Sequence, residues 1–517
     1  MSTANLQHPP VPSQKSVFPR WLLMLLVGLA PVLVTGLLML LFQLDLGRFI
    51  PRVWNDQVYY WSQINTFRAV GFDGGYYTIR EVPAAVSFFH FGAWGFTYPA
   101  LVGSVARLTG WQMNTPVILN GVLLTLSLWG FLAVSRFDRR QIVFTLLAVL
   151  SVTPVLFFIP TVSQESFHQS VAILLAALVL ALFRRERPWP VGYSILFLVI
   201  FSGVVLVRLS WAYLVLPVLL LAFRRWSVPR LLVLLVGVGV WAVALVLFFQ
   251  MTSAPAASSM FKSITDAVSR FGNNLVALLT PKTFLAPFSD IFLTIQYGLA
   301  LVLVSREAIK PFRHRSRATI RRQLAEPANW EMPFHVVNLG GLLLLALTLY
   351  ITGGYYRVFA PHLLLTLLVL VGFRRYRIAS LVMFVSLIGA ILFFQDYGRF
   401  IPHNFEGPRE GETETLRTTF SQTVIYHADA LTPWCNTVLL PVDLLADPTL
   451  FMPEGIGVSF FFSGYGLQFP LHSQYLLLDA ETDARLRDQL HVETLAELGV
   501  GTLYRNLDAD CPPNESP

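Results

Sequence analysis

Residues 21–41 read WLLMLLVGLAPVLVTGLLMLL, with no charged side chain among them. A bilayer's hydrocarbon core is about 30 Å thick and takes roughly 20 apolar residues to cross as a helix. This stretch is too long for the apolar region of a signal peptide, and no small-residue cleavage site follows it. It is therefore expected to stay in the protein as a first span.

Working outward, apolar runs of similar length recur as far as Phe394. They suggest spans at 21–44, 115–135, 141–160, 167–183, 191–207, 209–223, 230–250, 286–304, 334–352, 358–373 and 378–396. The composition agrees: 55% of the residues are hydrophobic, 13% are charged, and the mean hydropathy is +0.60. A soluble protein carries about a quarter charged residues. Arginines mark one side of the predicted spans. They stand at Arg20, Arg136–Arg139–Arg140, Arg184–Arg185–Arg187, Arg224–Arg225–Arg230, Arg306 to Arg322, and Arg374–Arg375–Arg377. All of these fall on the cytoplasmic side if the N-terminus is cytoplasmic, as expected where translocation of basic loops is disfavoured.

The net charge of +7 is unevenly spread. Residues 397–517 hold 17 acidic and 6 basic residues, while the rest of the chain is strongly basic. The basic excess lies in short loops between spans and is no sign of nucleic-acid binding. The predicted fold class is mainly α: a polytopic transmembrane helical bundle of about eleven spans. It carries a large first extracytoplasmic loop and a small C-terminal α/β extracytoplasmic domain. The boundaries read as a cytoplasmic tail at 1–20, a membrane domain at 21–396 with its first loop at 45–114, and an extracytoplasmic domain at 397–517. In that last domain Tyr475–Leu478 reads as a strand and 480–498 as a helix. Both cysteines, Cys435 and Cys511, lie there; an oxidising compartment permits a disulfide, with two free thiols as the alternative.

The 45–114 loop is dense in aromatics and glycine: Trp54-Asn55-Asp56-Gln57-Val58-Tyr59-Tyr60-Trp61, Gly71-Phe72-Asp73-Gly74-Gly75-Tyr76-Tyr77, and His90-Phe91-Gly92-Ala93-Trp94-Gly95-Phe96-Thr97-Tyr98-Pro99. Such a loop suits a folded cap over a cavity, and aromatic faces such as Tyr60 and Trp94 beside a carboxylate suit sugar rings. An interfacial aromatic belt is the alternative. Asp56, at the expected start of a loop helix, has no simple structural explanation. Glu165, before the fourth apolar run, is either a helix-capping carboxylate or a site residue. Asp73 before Gly-Gly suits a turn. Arg208, between two spans, and Arg357, after Gly354-Tyr355-Tyr356, suit a phosphate, which a guanidinium grips with two hydrogen bonds. For Arg357 snorkelling to the headgroups is an equal alternative. His90 and His168 could assist an anion or a metal, but no regular metal-ligand spacing is present.

This layout resembles the GT-C superfamily of membrane glycosyltransferases, in particular the polyprenyl-phosphate-sugar-dependent mannosyl- and aminoarabinosyltransferase-like members. The resemblance rests on the loop around Asp56, on Gly92-Ala93-Trp94-Gly95-Phe96-Thr97-Tyr98-Pro99, on Gly354-Tyr355-Tyr356-Arg357, and on the Leu495–Tyr504 ending. The chain departs from that pattern in having a single carboxylate in Asn55-Asp56-Gln57 and in the separation of His90 from Gly92. The resemblance implies a polyprenyl-phosphate-linked sugar as donor and a lipid, glycan or protein acceptor on the extracytoplasmic side of an inner membrane. It implies Asp56 as general base in an inverting transfer, with acceptor or donor contacts from Asp73, Glu165, His90, His168, Tyr60 and Trp94. The lipid phosphate would be held by Arg357, Arg208 and Tyr356. A divalent cation (Mg or Mn), held by Asp56 and Glu165, is left open. A lipid-linked saccharide ligase or polymerase is the nearest alternative, and a secondary transporter is one of a different class. The short late loops and the lack of internal repeats speak against these two in turn.

Overall fold

The computed structural model describes residues 19–52, 55–81, 91–92, 95–110, 112–184, 191–214, 228–252, 264–279, 289–310, 330–349, 355–408, 414–444, 451–462, 467 and 469–511. The chain starts with α1 (Arg20–Leu41). The first loop holds α2 (Asn55–Val70), β1 (Tyr77–Ile79) and α3 (Thr97–Thr109). The bundle continues with α4 (Thr115–Ser135), α5 (Arg139–Ser151), α6 (Pro154–Phe158), α7 (Glu165–Phe183), α8 (Val191–Gly203), α9 (Val228–Met251) and α10 (Ile264–Leu279). It closes with α11 (Ser289–Ile309), α12 (Glu331–Leu349), α13 (Tyr355–Gly372) and α14 (Tyr376–Phe400). Beyond it lie α15 (Glu414–Thr423), β2 (Thr437–Pro441), β3 (Gly457–Phe461), β4 (Tyr475–Leu478), α16 (Ala480–Leu486), β5 (Val492–Leu498) and β6 (Gly501–Asn506).

The chain is a multi-pass membrane protein. Among the described residues six helices are long and apolar enough to cross a bilayer: α1, α4, α7, α11, α12 and α14. Shorter apolar stretches lie at Ile195–Leu206, Leu235–Met251 and Arg357–Gly372. Two of the expected spans differ. The 141–160 run is broken, because Pro154 lacks the N–H that would continue α5 and instead opens α6 at its first turn. Of the 209–223 run, Leu209–Leu214 forms 3-10 turns and the remainder lies outside the described residues.

The bundle is built around α7 and α13. Leu363, Leu364, Leu365 and the run Leu367–Val371 are fully buried, as expected for a helix that is apolar on every side. α13 packs on α7, α12, α5 and α11, while α7 also packs on α4. By contrast α1 turns Leu33, Leu37, Leu40 and Leu41 outward. Among the described residues Arg136, Arg140, Arg184 and Arg374 gather at one end of the bundle. Arg184, just past α7, donates to the Ser135 carbonyl at 2.6 Å and to the Gly372 carbonyl at 2.8 Å, where α4 and α13 end. Gln141 Nε2 adds a bond to the Gly372 carbonyl at 2.9 Å, and Arg374 pairs with Asp138 at 3.0 Å. Asp138 and Gln141 form a reciprocal cap on α5. The last carbonyls of α4 and α13, which have no partner within their own helices, are thus met by the side chains of Arg184 and Gln141.

The sheet of the C-terminal region takes a strand from the first loop, in the order β1-β3-β2-β4-β6-β5. The β1–β3, β3–β2 and β2–β4 pairs are parallel; β4–β6 and β6–β5 are antiparallel. Gly457 is required at the β1 edge, because a Cβ there would collide with the Gly75 carbonyl. The 480–498 helix is a correction: only Ala480–Leu486 is helical, followed by a 3-10 turn at Arg487–Gln489. Val492–Leu498 instead pairs with Gly501–Asn506 as a hairpin. Its Val492 and Thr494 favour extended backbone, and Gly501, at φ +154°, closes the turn. Cys435 and Cys511 form a disulfide with a Cα–Cα distance of 5.4 Å, pinning the chain end to the start of β2.

The first loop and this sheet are clamped together. Glu81 is buried; its carboxylate accepts from the backbone N–H groups of His472 at 2.5 Å and Ser473 at 3.0 Å. Tyr59 stacks between Tyr77 and Phe460, at 4.8 and 4.5 Å between ring centroids. Thr66 donates to the Ile456 carbonyl at 3.1 Å, and Arg68 pairs with Glu454. One side of α2 is therefore seated on the C-terminal domain.

Candidate active site

At the end of the bundle opposite the arginines, three helices begin close together. α2 begins with Asn55-Asp56, α7 with Glu165, and α13 with Tyr355-Tyr356-Arg357. Hydrogen bonds from α2 fix the geometry. Gln57 Oε1 accepts from the backbone N–H of Val162 at 3.1 Å and from Asn404 Nδ2 at 3.3 Å, tying α2 both to the approach to α7 and to the segment after α14. Asn404 Oδ1 accepts from the Arg52 N–H at 3.0 Å. From the other side Asn120 Nδ2 donates to the Thr161 carbonyl at 2.8 Å. The 161–165 segment is thus held from both sides, and Glu165 is presented as the first residue of its helix.

Asp56 pairs with Arg357. A cation in the first turn of a helix is poorly placed, because the positive end of the helix dipole repels it. The Asp56 carboxylate offsets that. Glu165 is buried and lies within Coulombic range of Arg357, Arg208 and Asp56. Tyr60, one turn beyond Asp56, is buried against Tyr98 in an edge-to-face contact at 5.8 Å. Burial, then the charges of Glu165 and Asp56, push the Tyr60 phenol well above its ordinary value, with Arg208 and Arg357 opposing. The phenol of Tyr98 is raised by burial and by Glu165. Both tyrosines therefore stay protonated as hydrogen-bond donors.

Arg208 is only 6% exposed and sits between the 3-10 turns Val204–Leu206 and Leu209–Leu214. Thr97 donates to the Leu206 carbonyl at 2.6 Å, so the Phe96–Pro99 run buttresses this segment. Trp211 stacks on His362 at 3.9 Å, Tyr213 donates to the Asn338 carbonyl at 2.8 Å, and Trp241 donates to the Ala212 carbonyl at 2.8 Å. His362 Nδ1 lies 2.8 Å from Asn338 Oδ1. His168, one turn into α7 and fully buried, is within Coulombic range of Arg208 and His362.

The structure therefore brings Asp56, Tyr60, Glu165, His168, Arg208 and Arg357 into one neighbourhood. Asp73 stands elsewhere, exposed and near Tyr76 and Tyr426. His90, Trp94 and the Tyr356 side chain lie outside the described residues. Gln57, Tyr98, Gln169, Trp211 and His362 are additions that the sequence reading did not single out. His362 carried a usable signal, since an ionisable residue inside an apolar run is itself a functional flag. Among the described residues no group of three or more His, Cys, Asp or Glu side chains is placed to hold a metal. Asp56 and Glu165 sit among two guanidiniums, which is a poor fit to a divalent cation.

No family model matches the chain, and no curated protein matches it. Two solved structures of ArnT from Cupriavidus metallidurans are similar to it. The one bound to undecaprenyl phosphate is 14% identical, with a TM-score of 0.43, and the match covers 94% of this chain and 98% of that one. The apo structure is 15% identical with the same TM-score, covering 92% and 98%. At this identity the substrate and the chemistry have to come from the chain's own residues.

Proposed function

We propose that this chain is an integral membrane glycosyltransferase, moving a sugar from a polyprenyl-phosphate donor to an acceptor on the extracytoplasmic side of an inner membrane. The observation that carries this reading is the convergence of Asp56, Glu165 and Arg357 on three adjoining helix starts, with buried Arg208 beside them. The site lies at the end of the bundle opposite the arginine-rich face. The charge bias of the loops supports a basic face in the cytoplasm and a site on the outer side.

In this reading Arg357 and Arg208 receive the donor phosphate, helped by the N-terminal end of α13. The phosphate competes with Asp56 for Arg357 and so releases the carboxylate. Asp56 then takes the proton of an acceptor hydroxyl as that oxygen attacks the anomeric carbon from the face opposite the phosphate. The new C–O bond forms as the bond from the anomeric carbon to the phosphate oxygen breaks, with inversion. Polyprenyl phosphate leaves as an anion stabilised by the two guanidiniums. Glu165 and His168 orient the sugar or the acceptor.

The test is transfer of radiolabelled sugar from polyprenyl-phosphate donors by the purified protein in lipid, with Asp56→Ala and EDTA as further arms. Loss of the base is expected to lower the rate by about 10²–10⁴-fold. Full activity in Asp56→Ala would remove Asp56 as base. Absence of transfer or donor hydrolysis by folded wild-type protein, across a panel of sugars, would turn the reading toward a ligase or a transporter. The EDTA arm decides whether a cation takes part.

A further inference from the structure

Buried polar atoms normally find hydrogen-bond partners, and those that do not call for a specific explanation. Five neighbouring residues here break that rule together. Glu165 Oε2, both ring nitrogens of His168, both amide atoms of Gln169, Nε and Nη1 of Arg208, and Nε1 of Trp211 are all buried without a hydrogen-bond partner. Their residues are between 0% and 6% exposed. Glu165, His168 and Gln169 are spaced i, i+3 and i+4 along α7 and share one face. Arg208 is within Coulombic range of both Glu165 and His168. Trp211 follows Arg208 by three residues, its backbone N–H donates to the Arg208 carbonyl at 3.1 Å, and its ring stacks on His362.

The mixture of atoms identifies the ligand. Arg208, Trp211 and the Gln169 amide nitrogen can only donate; Glu165 and the Gln169 amide oxygen accept; the two ring nitrogens of an imidazole such as His168 offer one of each when the ring is uncharged. An anion alone would leave the acceptors unmet and would face Glu165. An ammonium would leave the donors unmet and would face Arg208. Hydroxyl groups both donate and accept, so a ring carrying several of them satisfies both sets, whereas a carboxylate on that ring would lie near Glu165 and an ammonium near Arg208, because those two charges are within Coulombic range of each other. Glu165 is also within Coulombic range of Arg357, and Arg208, assigned above to the donor phosphate, stands at the junction, where one of its unmet nitrogens can meet the phosphate and the other a sugar hydroxyl.

We infer that the face formed by Glu165, His168, Gln169, Arg208 and Trp211 is the subsite for the donor's sugar, and that this sugar is a neutral polyhydroxylated ring rather than an amino sugar or a uronic acid. The inference rests on the transferase reading and adds the substrate class to it.

The experiment measures binding to the wild-type protein in lipid nanodiscs. The probes are polyprenyl phosphate alone and the same lipid carrying a neutral hexose, an amino sugar or a uronic acid. Wild type is expected to bind the neutral-sugar donor about tenfold or more tighter than the bare lipid phosphate and than the two charged donors. Gln169→Leu should lose most of that margin while binding the bare lipid phosphate as wild type does. Equal wild-type affinity for the bare and neutral-sugar lipids, or tighter binding of a charged donor, would overturn the subsite. Because that comparison uses unmodified protein, it does not depend on the variant folding. Failure of wild type to bind polyprenyl phosphate at all would instead overturn the transferase reading, and the subsite with it.

Discussion

The two ends of the bundle use arginine in opposite ways. At one end Arg184 caps the carbonyls of Ser135 and Gly372, Arg374 pairs with Asp138, and the guanidiniums are at least partly open to solvent. At the other Arg208 is buried with two nitrogens unmet, beside Glu165, His168 and Gln169 in the same condition. The first arrangement is complete in itself and contributes to the fold. The second carries a desolvation cost that the protein alone does not offset, and such a cost is characteristic of binding sites. The same contrast separates two buried glutamates: Glu81 has both oxygens engaged by backbone N–H groups, whereas Glu165 has an oxygen without a partner.

The sharpest way to break this comparison is to change the two glutamates and read stability and activity separately. Glu165→Gln keeps the shape and removes a buried charge, so its melting temperature should be unchanged or higher while transfer falls by about 100-fold or more. A destabilised but active Glu165→Gln would place Glu165 with the structural groups. Glu81→Ala should do the reverse. It strands two backbone donors that a carboxylate now serves, for about 3 kcal/mol, and loosens the seat of α2 on the sheet. Denaturant unfolding would show this, and specific activity per folded molecule should fall less than in Glu165→Gln. Next in size is Arg184→Met. It takes away the cap on two helix ends and should lower stability by about 2 kcal/mol, with the site at the far end unaffected. A large loss of activity in that variant would show that the two ends are not independent.

Much of this was legible because charge is so scarce in the membrane part. Asp56, Glu165, Arg208 and Arg357 stood out against apolar neighbours, and Arg136, Arg184 and Arg374 marked the opposite face before any packing was known. Gln169 and Trp211 did not stand out. A glutamine or tryptophan near the end of an apolar run has ordinary uses, and only the packed structure shows that their polar atoms go unmet. The errors have the same origin. Val492–Leu498 mixes apolar and acidic residues in a way that fits a helix or a hairpin strand, and pairing with β6, a tertiary fact, decides it. The break at Pro154 was visible as a proline, but whether a span bends through it or stops depends on the neighbours.

The smallest expected effect sharpens the comparison most cheaply, because the same chemical change can be made at both ends. Asp138→Asn removes the Arg374 ion pair, but asparagine caps a helix as well as aspartate does, and both partners of that pair are largely solvated, with side-chain exposures of 45% and 67%. Exposed pairs of this kind contribute little, so stability should shift by less than about 0.5 kcal/mol and transfer not at all. Asp56→Asn removes the Arg357 pair, whose side chains are 28% and 14% exposed. Its effect on stability should be modest too, because asparagine remains polar and fits the same space. Transfer should nevertheless collapse, since an amide cannot take the acceptor's proton at the attacking oxygen. If the two asparagine variants differed in stability but not in activity, the Asp56–Arg357 pair would be a structural strut like its counterpart at the other end of the bundle. A difference in activity without a comparable difference in stability is what a catalytic carboxylate requires.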